Sequence, residues 1–304
     1  MLLVGIDLGG TAIKAGAITS SGEIVARREI PSALERGASD LLDRMATLAR
    51  DLGAQSCVGL GVPGLVDLTG GRVLQSPNLA CIQGVPLVAE LAQRLRIPAS
   101  GVHLENDANA AALGEHWLGR GRDEHDFLLV TLGTGVGGGL ILDGKLYAGP
   151  GGMAGEIGHV VVEPGGPLCG CGSRGCLETL ASASAAVRRA KELGLPRGNP
   201  GGGLVALTDA ARAAAGPERD LCFAVGRDLG RGLAAAISLL DLRCFVVGGG
   251  FGAALDTLQP GIRTGIAERC YGERLAGVRV LHAELGADAG WIGAAHLGML
   301  RART

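Results

Sequence analysis

Aromatic side chains are scarce in this sequence. Two tryptophans, two tyrosines and four phenylalanines make up 3% of 304 residues. Proteins that grip single-stranded nucleic acid stack bases on such rings, so that class is disfavoured, and a bound sugar would be held mainly by hydrogen bonds. An excess of one charge is missing too. Lysine and arginine number 28 against 30 acidic residues, a net charge of −2, which gives no electrostatic pull toward nucleic acid or an anionic membrane. Long apolar runs are also lacking. The opening MLLVGI is cut short by Asp7, no signal-peptide pattern is visible, and no run is long enough to span a bilayer. These absences lead to the expectation of a cytoplasmic protein with neither nucleic-acid nor membrane partners.

Glycine, by contrast, is abundant. There are 54 glycines, far above the usual share of about 7%. They gather at 133–139, 149–155, 165–175, 198–203 and 248–252 without a collagen-like period, and they read as loops built from backbone. With 47% hydrophobic and 19% charged residues, the chain has the makings of a packed core. Its eight cysteines, in a reducing compartment, read as metal ligands or free thiols before disulfides.

The stretch LLVGIDLGGTAIKAGAITSSGEIVAR reads as strand, glycine turn, strand, polar turn, strand. From Asp126, DFLLVTLGTGVGGGLILDGKLYAG repeats the scheme, with LDGK as its second turn. This suggests an internal duplication. SDLLDRMATLARDLG places Leu41, Met45, Leu48 and Leu52 on one helical face, with Ser39 as cap and Gly53 as stop. Further helices are expected after Asn106 and near 180–194, 204–215, 218–241 and 289–303. Strands are expected at 57–62, 102–104, 244–248 and 278–282. The alternation indicates an α/β fold with mixed sheets. The expected division is residues 1–118 and 119–304, with the last helix, 289–304, packing back on the first domain.

Several short stretches carry chemistry. In Asp7-Leu8-Gly9-Gly10-Thr11 the glycines let backbone N–H groups approach phosphate, and Thr11 adds a hydroxyl. Asp7 is ill suited to touch phosphate but well suited to hold Mg²⁺ through water. Gly133-Thr134-Gly135-Val136-Gly137-Gly138-Gly139 offers the same backbone chemistry. It also fits G-x-G-x-x-G, but the dinucleotide motif needs a helix next, and GLILDGKLYAG reads as strand and hairpin. VVGGGFG at 246–252 is either bare backbone for an adenine or ribose, or an ordinary strand-to-helix turn. His159, Cys169, Cys171 and Cys176 follow the spacing His-x9-Cys-x-Cys-x4-Cys. They are a metal site or a glycine loop with free thiols. In LEND, Asn106 or Asp107 can cap the following helix, and a carboxylate there is expected to have a lowered pKa.

Together these residues resemble the ROK family of sugar kinases, within the actin-like ATPase superfamily. The resemblance runs through DLGGT, LENDANAAALGE, LGTGVGGG, GEIGH, CGCGSRGCLE, VVGGG and LGADAGWIGAA, in order along nearly the whole chain. It implies a two-domain actin-like (ribonuclease H-like) ATPase fold whose interdomain cleft closes over ATP and a hexose. It implies phosphoryl transfer to the 6-hydroxyl of glucose with Asp107 as base. Gly64, Asn78, Asn106, Asp107, Glu156, His159 and Glu178 would meet the sugar. Asp7, Gly9, Gly10, Thr11, Lys14, Gly133, Thr134, Gly135, Gly249 and Gly250 would meet ATP with Mg²⁺. His159, Cys169, Cys171 and Cys176 would hold a structural Zn²⁺, because a Cys3His set closes the tetrahedron. The free nitrogen of His159 would then face a sugar hydroxyl. A homodimer or homotetramer is implied as well.

One departure bears on the substrate. Ala80-Cys81-Ile82-Gln83 stands where many family members acting on glucose carry an aromatic residue. That keeps a kinase of N-acetylglucosamine or N-acetylmannosamine, or a fructose or allose kinase, in view. From another class, a sugar-sensing regulator without turnover is the rival. Asp107 and the two glycine loops argue against it.

Overall fold

The computed structural model describes residues 1–76, 79–195 and 203–301. Asn78 and most of the 198–203 glycine cluster lie outside the described residues. Strands β1 (Leu2–Leu8), β2 (Ala12–Thr19) and β3 (Ile24–Pro31) lead to helix α1 (Gly37–Asp51) and strand β4 (Val58–Val62). A small hairpin, β5 (Leu65–Asp67) with β6 (Arg72–Gln75), precedes α2 (Leu87–Leu95), β7 (Val102–Asn106) and α3 (Asp107–Leu118). Then come β8 (Phe127–Leu132), β9 (Val136–Leu142), β10 (Lys145–Leu146), α4 (Glu178–Ala181), α5 (Ala183–Glu192), α6 (Gly203–Ala213) and α7 (Pro217–Leu240). The chain continues with β11 (Cys244–Gly248), α8 (Leu255–Ala267), β12 (Arg279–His282) and α9 (Ala289–Arg301).

The chain divides into two compact units. One holds residues 1–125, 139–155 and 287–304; the other holds 126–138 and 156–286. Relative to a cut at 118/119, residues 119–125 and 139–155 count with the first unit.

One five-stranded sheet has the order β3-β2-β1-β4-β7, and a second has β10-β9-β8-β11-β12. The repeat is visible in these orders: third, second and first strand of each copy, then two later strands. In each sheet the two later strands pair in parallel, β4 with β7 and β11 with β12. The β9–β10 turn is made by Asp143 and Gly144, at φ 54 and φ 68, the two left-handed residues that a two-residue hairpin needs. A strand and hairpin follow the second glycine loop, so the helix required by a dinucleotide motif is not there.

Alternation explains the first sheet. Val4, Ile6 and Leu8 of β1 join the buried cluster that holds Leu41, Met45 and Leu48 of α1 and Leu87 and Leu91 of α2. On the other face α9 runs close over the strands. A methyl at Gly59 of β4 would fall on the Ala294 carbonyl, so only glycine permits this approach.

The face expected for α1 is buried, Leu52 included, and Gly53, at φ 88, ends the helix. Ser39 is not the cap. The helix starts at Gly37, and no side chain caps it; Ser39 instead accepts a hydrogen bond from Arg94 at 3.3 Å. Helices α2 and α8 were not expected from the pattern. Pro260, Gly261 and Gly265 of α8 look like helix breakers, yet the glycines serve packing. Methyls at Gly261 and Gly265 would fall on the Phe223 and Arg227 carbonyls of α7. Among the described residues, no helix is long and apolar enough to cross a membrane.

Candidate active site

In the first unit, the elbow between β7 and α3 presents the expected base. Asn106 caps α3: its Oδ1 accepts the Ala108 and Asn109 N–H groups at 2.9 and 3.1 Å. Its Nδ2 donates to the Gly64 carbonyl at 3.1 Å, which joins two of the residues expected to meet a sugar. Gly64 itself has φ 106, a conformation glycine supports. Asp107 follows the cap, and its Oδ1 accepts the Ala108 N–H at 2.9 Å. The expected lowering of its pKa is overturned. Burial pushes the Asp107 carboxyl up, and the backbone N–H groups of Ala108 and Asp107 only partly oppose this. Desolvation penalises the anion more than one helix end rewards it.

Sequence reasoning missed the support beneath this elbow. Glu105, buried on β7, accepts the Asn106 N–H and the Asn109 Nδ2–H, both at 3.0 Å. The only local signal was its place beside Asn106 in LEND.

Asp7, at the end of β1, pairs across the sheet with Lys14 on β2 and packs against Gly290 in the first turn of α9. Its pKa rises to about 7, first through burial and then through the nearby Asp107 charge, while Lys14 pulls the other way. The glycine turn that follows is pinned. Gly9 N–H donates to the Ala12 carbonyl at 2.9 Å. The buried Ser32 donates its hydroxyl to the Gly9 carbonyl at 2.5 Å and its N–H to the Thr11 carbonyl at 2.9 Å. Gly10 and Thr11 both lie exposed in this turn.

In the second unit the ligand-type residues converge. One ligand atom from each of His159, Cys169, Cys171 and Cys176 can be chosen so that all lie within 4.8 Å of one another. His159 Nδ1 is 3.6 Å from Cys169 Sγ, and the Cys171 and Cys176 sulfurs are 3.7 Å apart. A tetrahedral zinc, with bonds of about 2.3 Å to sulfur and about 2.0–2.1 Å to nitrogen, sets ligand separations of about 3.8 and 3.6 Å. A disulfide needs about 2.05 Å. The donor set therefore fits a closed metal site. Its thiols are not alike: the Ser173 N–H draws the Cys171 pKa down to about 7, whereas burial raises Cys176. The other ring nitrogen, His159 Nε2, lies 3.9 Å from Glu156 Oε2.

The second glycine loop lies beside this cluster. Gly133 N–H donates to the Gly135 carbonyl at 3.0 Å, and Ala183 N–H to the Gly133 carbonyl at 2.9 Å. Val136 N–H donates to Glu178 Oε2 at 3.1 Å. Thr134 is exposed at the loop's turn. The third cluster is a strand-to-helix turn: Gly249, at φ 80, lies against the Leu132 backbone, and Gly250 is open. Asn78 alone of the expected set lies outside the described residues. Nothing in the sequence pointed to Ser32 or to the Glu178–Val136 bond, since both join segments far apart in the chain.

A duplicated β-sheet scaffold with a glycine turn after the first strand of each copy is the two-domain actin-like ATPase fold. The ROK family model matches residues 3–299, and the chain belongs to the ROK family. It is 36% identical to a glucokinase of Thermotoga maritima, over 97% of this chain and 96% of that one. It is 35% identical to an N-acetylmannosamine kinase of Shigella flexneri, over 98% of each. A ROK family glucokinase from Streptomyces griseus, solved in complex with glucose and AMPPNP, superposes with a TM-score of 0.83 at 36% identity. That match covers 99% of this chain and 100% of the other.

Proposed function

We propose that this chain is an ATP-dependent sugar kinase that phosphorylates the 6-hydroxyl of glucose. The observation that carries the reading is the β7–α3 elbow. There Asn106 caps the helix and ties to Gly64, leaving Asp107 with a raised carboxyl pKa next to the cap. A raised pKa makes Asp107 a better acceptor for the hydroxyl proton than a surface carboxylate would be. In a loose phosphoryl-transfer transition state that proton leaves late, so much of the work of Asp107 is orienting the attacking oxygen. The similarity to glucokinases over nearly the whole chain supports the same reaction.

The remaining roles follow the residues' chemistry. Asn106, Glu156, His159 and Glu178 hold sugar hydroxyls, with Gly64 and Asn78 assigned beside them. Gly9 and Gly133 spend their N–H groups on shaping the two turns, Gly10, Thr11, Thr134 and Gly135 present theirs to the nucleotide phosphates, and Gly249 and Gly250 give bare backbone to the nucleoside. Asp7 and Lys14 serve the Mg²⁺–phosphate end. Bound Mg²⁺ neutralises charge developing on the phosphates. His159, Cys169, Cys171 and Cys176 hold zinc, which braces the loop and fixes the His159 ring. A homodimer or homotetramer is part of this proposal.

The N-acetylmannosamine kinase at 35% identity favours a second reading, a kinase of an N-acetylated hexosamine. The small Ala80 and Cys81, where an aromatic is often found, are the side chains this reading would set beside an acetyl group. Mixing purified protein with Mg²⁺, ATP and glucose tests the first reading. It predicts ADP release with glucose 6-phosphate as product, and absence of both rejects it.

A further inference from the structure

The glycine loop at 133–136 and the cysteine loop at 169–176 meet at one side chain. Glu178 opens α4, two residues after Cys176. Its Oε2 accepts the Val136 N–H at 3.1 Å, and its Oε1 lies 3.9 Å from Cys169 Sγ. The fit is close, because a methyl at Gly135 would fall on Glu178 Oε2. A second tie comes from the same segment, since Ala183 N–H donates to the Gly133 carbonyl at 2.9 Å. That segment is itself anchored. Leu177 N–H donates to the Val160 carbonyl at 2.9 Å, and Val161 bridges Cys176. Both ends of the glycine loop therefore hang on a short elbow that leaves the metal-ligand cluster.

We infer that Glu178 is a positioning residue for the phosphate loop as well as a sugar contact, and that it makes the loop's shape depend on the cysteine-loop elbow. The inference rests on the kinase reading for the loop's ligand. A loop already pinned in its binding conformation loses less conformational freedom when nucleotide arrives. A hydrogen bond to a charged acceptor is strong enough to matter here. With Oε2 engaged by Val136, Oε1 is the oxygen left for a sugar hydroxyl. One carboxylate thus touches both ligands' sites.

The test measures dissociation constants of Mg²⁺–AMPPNP without sugar, and of glucose without nucleotide, in wild type, Glu178→Ala, Glu178→Gln and Gly135→Ala. Zinc content and thermal melting report folding. Glu178→Ala should weaken AMPPNP about tenfold, the loss of one charge-assisted hydrogen bond. Glu178→Gln keeps an oxygen for the Val136 N–H and should stay within about threefold of wild type, while both variants bind glucose less well. Gly135→Ala pushes the carboxylate aside and should weaken glucose binding although it sits in the nucleotide loop. It carries the test alone if Glu178→Ala fails to fold. Unchanged or tighter AMPPNP binding in Glu178→Ala overturns the inference. So does an equal loss in Glu178→Gln, or unaltered glucose binding in Gly135→Ala. Wild type reads the kinase proposal separately: AMPPNP binding without glucose binding removes the hexose assignment and leaves the loop result standing. No AMPPNP binding by wild type removes both.

Discussion

The two glycine turns sit at equivalent places in a repeated scaffold, yet they are held differently. In the first, a neutral hydroxyl does the holding: Ser32 donates to the Gly9 carbonyl and its N–H to the Thr11 carbonyl. In the second, an acid does it. Glu178, 42 residues from Val136, accepts that residue's N–H. The acids themselves are therefore used in opposite ways. Asp7 lies in the first turn's own strand, is not needed to hold it, and has a pKa near 7. The second turn has no acid of its own, and the one it borrows is committed to the backbone. The turn recurs in both copies of the scaffold while its supports differ, and with them the chemistry each turn offers. A carboxyl left out of the loop's support is available to a cation; one engaged by an N–H is a strut.

Mutations separate the two units. The largest effect belongs to Asp107→Asn, which keeps much of the side chain's shape. Turnover should fall by about 10²–10⁴-fold, the usual contribution of a general base, with glucose affinity little changed. A variant keeping more than about a tenth of the wild-type rate removes the base assignment.

In the proposed reading the second-unit strut leans on a zinc-bound cluster, so Cys171→Ser comes next. Purified wild type should carry one zinc per chain by metal analysis. The variant should lose it, and with it about ten- to a hundredfold in glucose affinity, as expected when a ligand's orientation is no longer fixed. Active protein that contains no zinc would contradict the brace.

The first-unit acid predicts a pH effect. In the proposed role Mg²⁺ needs the Asp7 anion, and burial with the Asp107 charge lifts the Asp7 pKa from 3.8 to about 7. Mg²⁺–AMPPNP affinity should then weaken toward about tenfold per unit as pH drops below 7, and Asp7→Asn should flatten the profile. For folding the sign is opposite. A raised acid pKa means relative stability that is full below 3.8 and is lost as pH rises through about 7. An Asp7→Asn profile as steep as wild type would place the titrating group elsewhere.

The smallest effects separate two serines. Ser32→Ala removes a buried donor and leaves the Gly9 carbonyl short of a partner, at a cost of about 1–3 kcal/mol. Ser39→Ala touches no cap and should stay within about 0.5 kcal/mol. Chemical denaturation of the two variants reads the difference, and equal losses would mean that Ser32 is no support.

How much of this was legible in the sequence follows from the range of each signal. Strand alternation around the two glycine turns is local, and so is the four-residue burial face of α1; both were readable. The cysteine–histidine cluster was readable because its ligands fall within 18 residues, from His159 to Cys176. The Asn106 cap was visible in LEND. The direction of the Asp107 shift was not, because it depends on burial in the folded chain. The α8 helix was hidden by glycines whose purpose, close approach to α7, exists only in the folded chain. Ser32 and the Glu178–Val136 bond were hidden for the same reason: no spacing rule joins a serine at the end of β3 to a turn 23 residues earlier, or an acid in α4 to β9.

A sugar kinase that prefers glucose is the central proposal, and kcat/KM across a sugar panel with Mg²⁺ and ATP reads that preference. A site built to bond hydroxyls rejects analogues that leave its buried polar groups unpaired, by up to about 10⁴-fold. Glucose is predicted to give a higher kcat/KM than N-acetylmannosamine, N-acetylglucosamine or fructose. A higher value for either acetylated sugar would contradict the glucose assignment and leave the kinase chemistry intact; no phosphorylation of any of the four would contradict the claim itself.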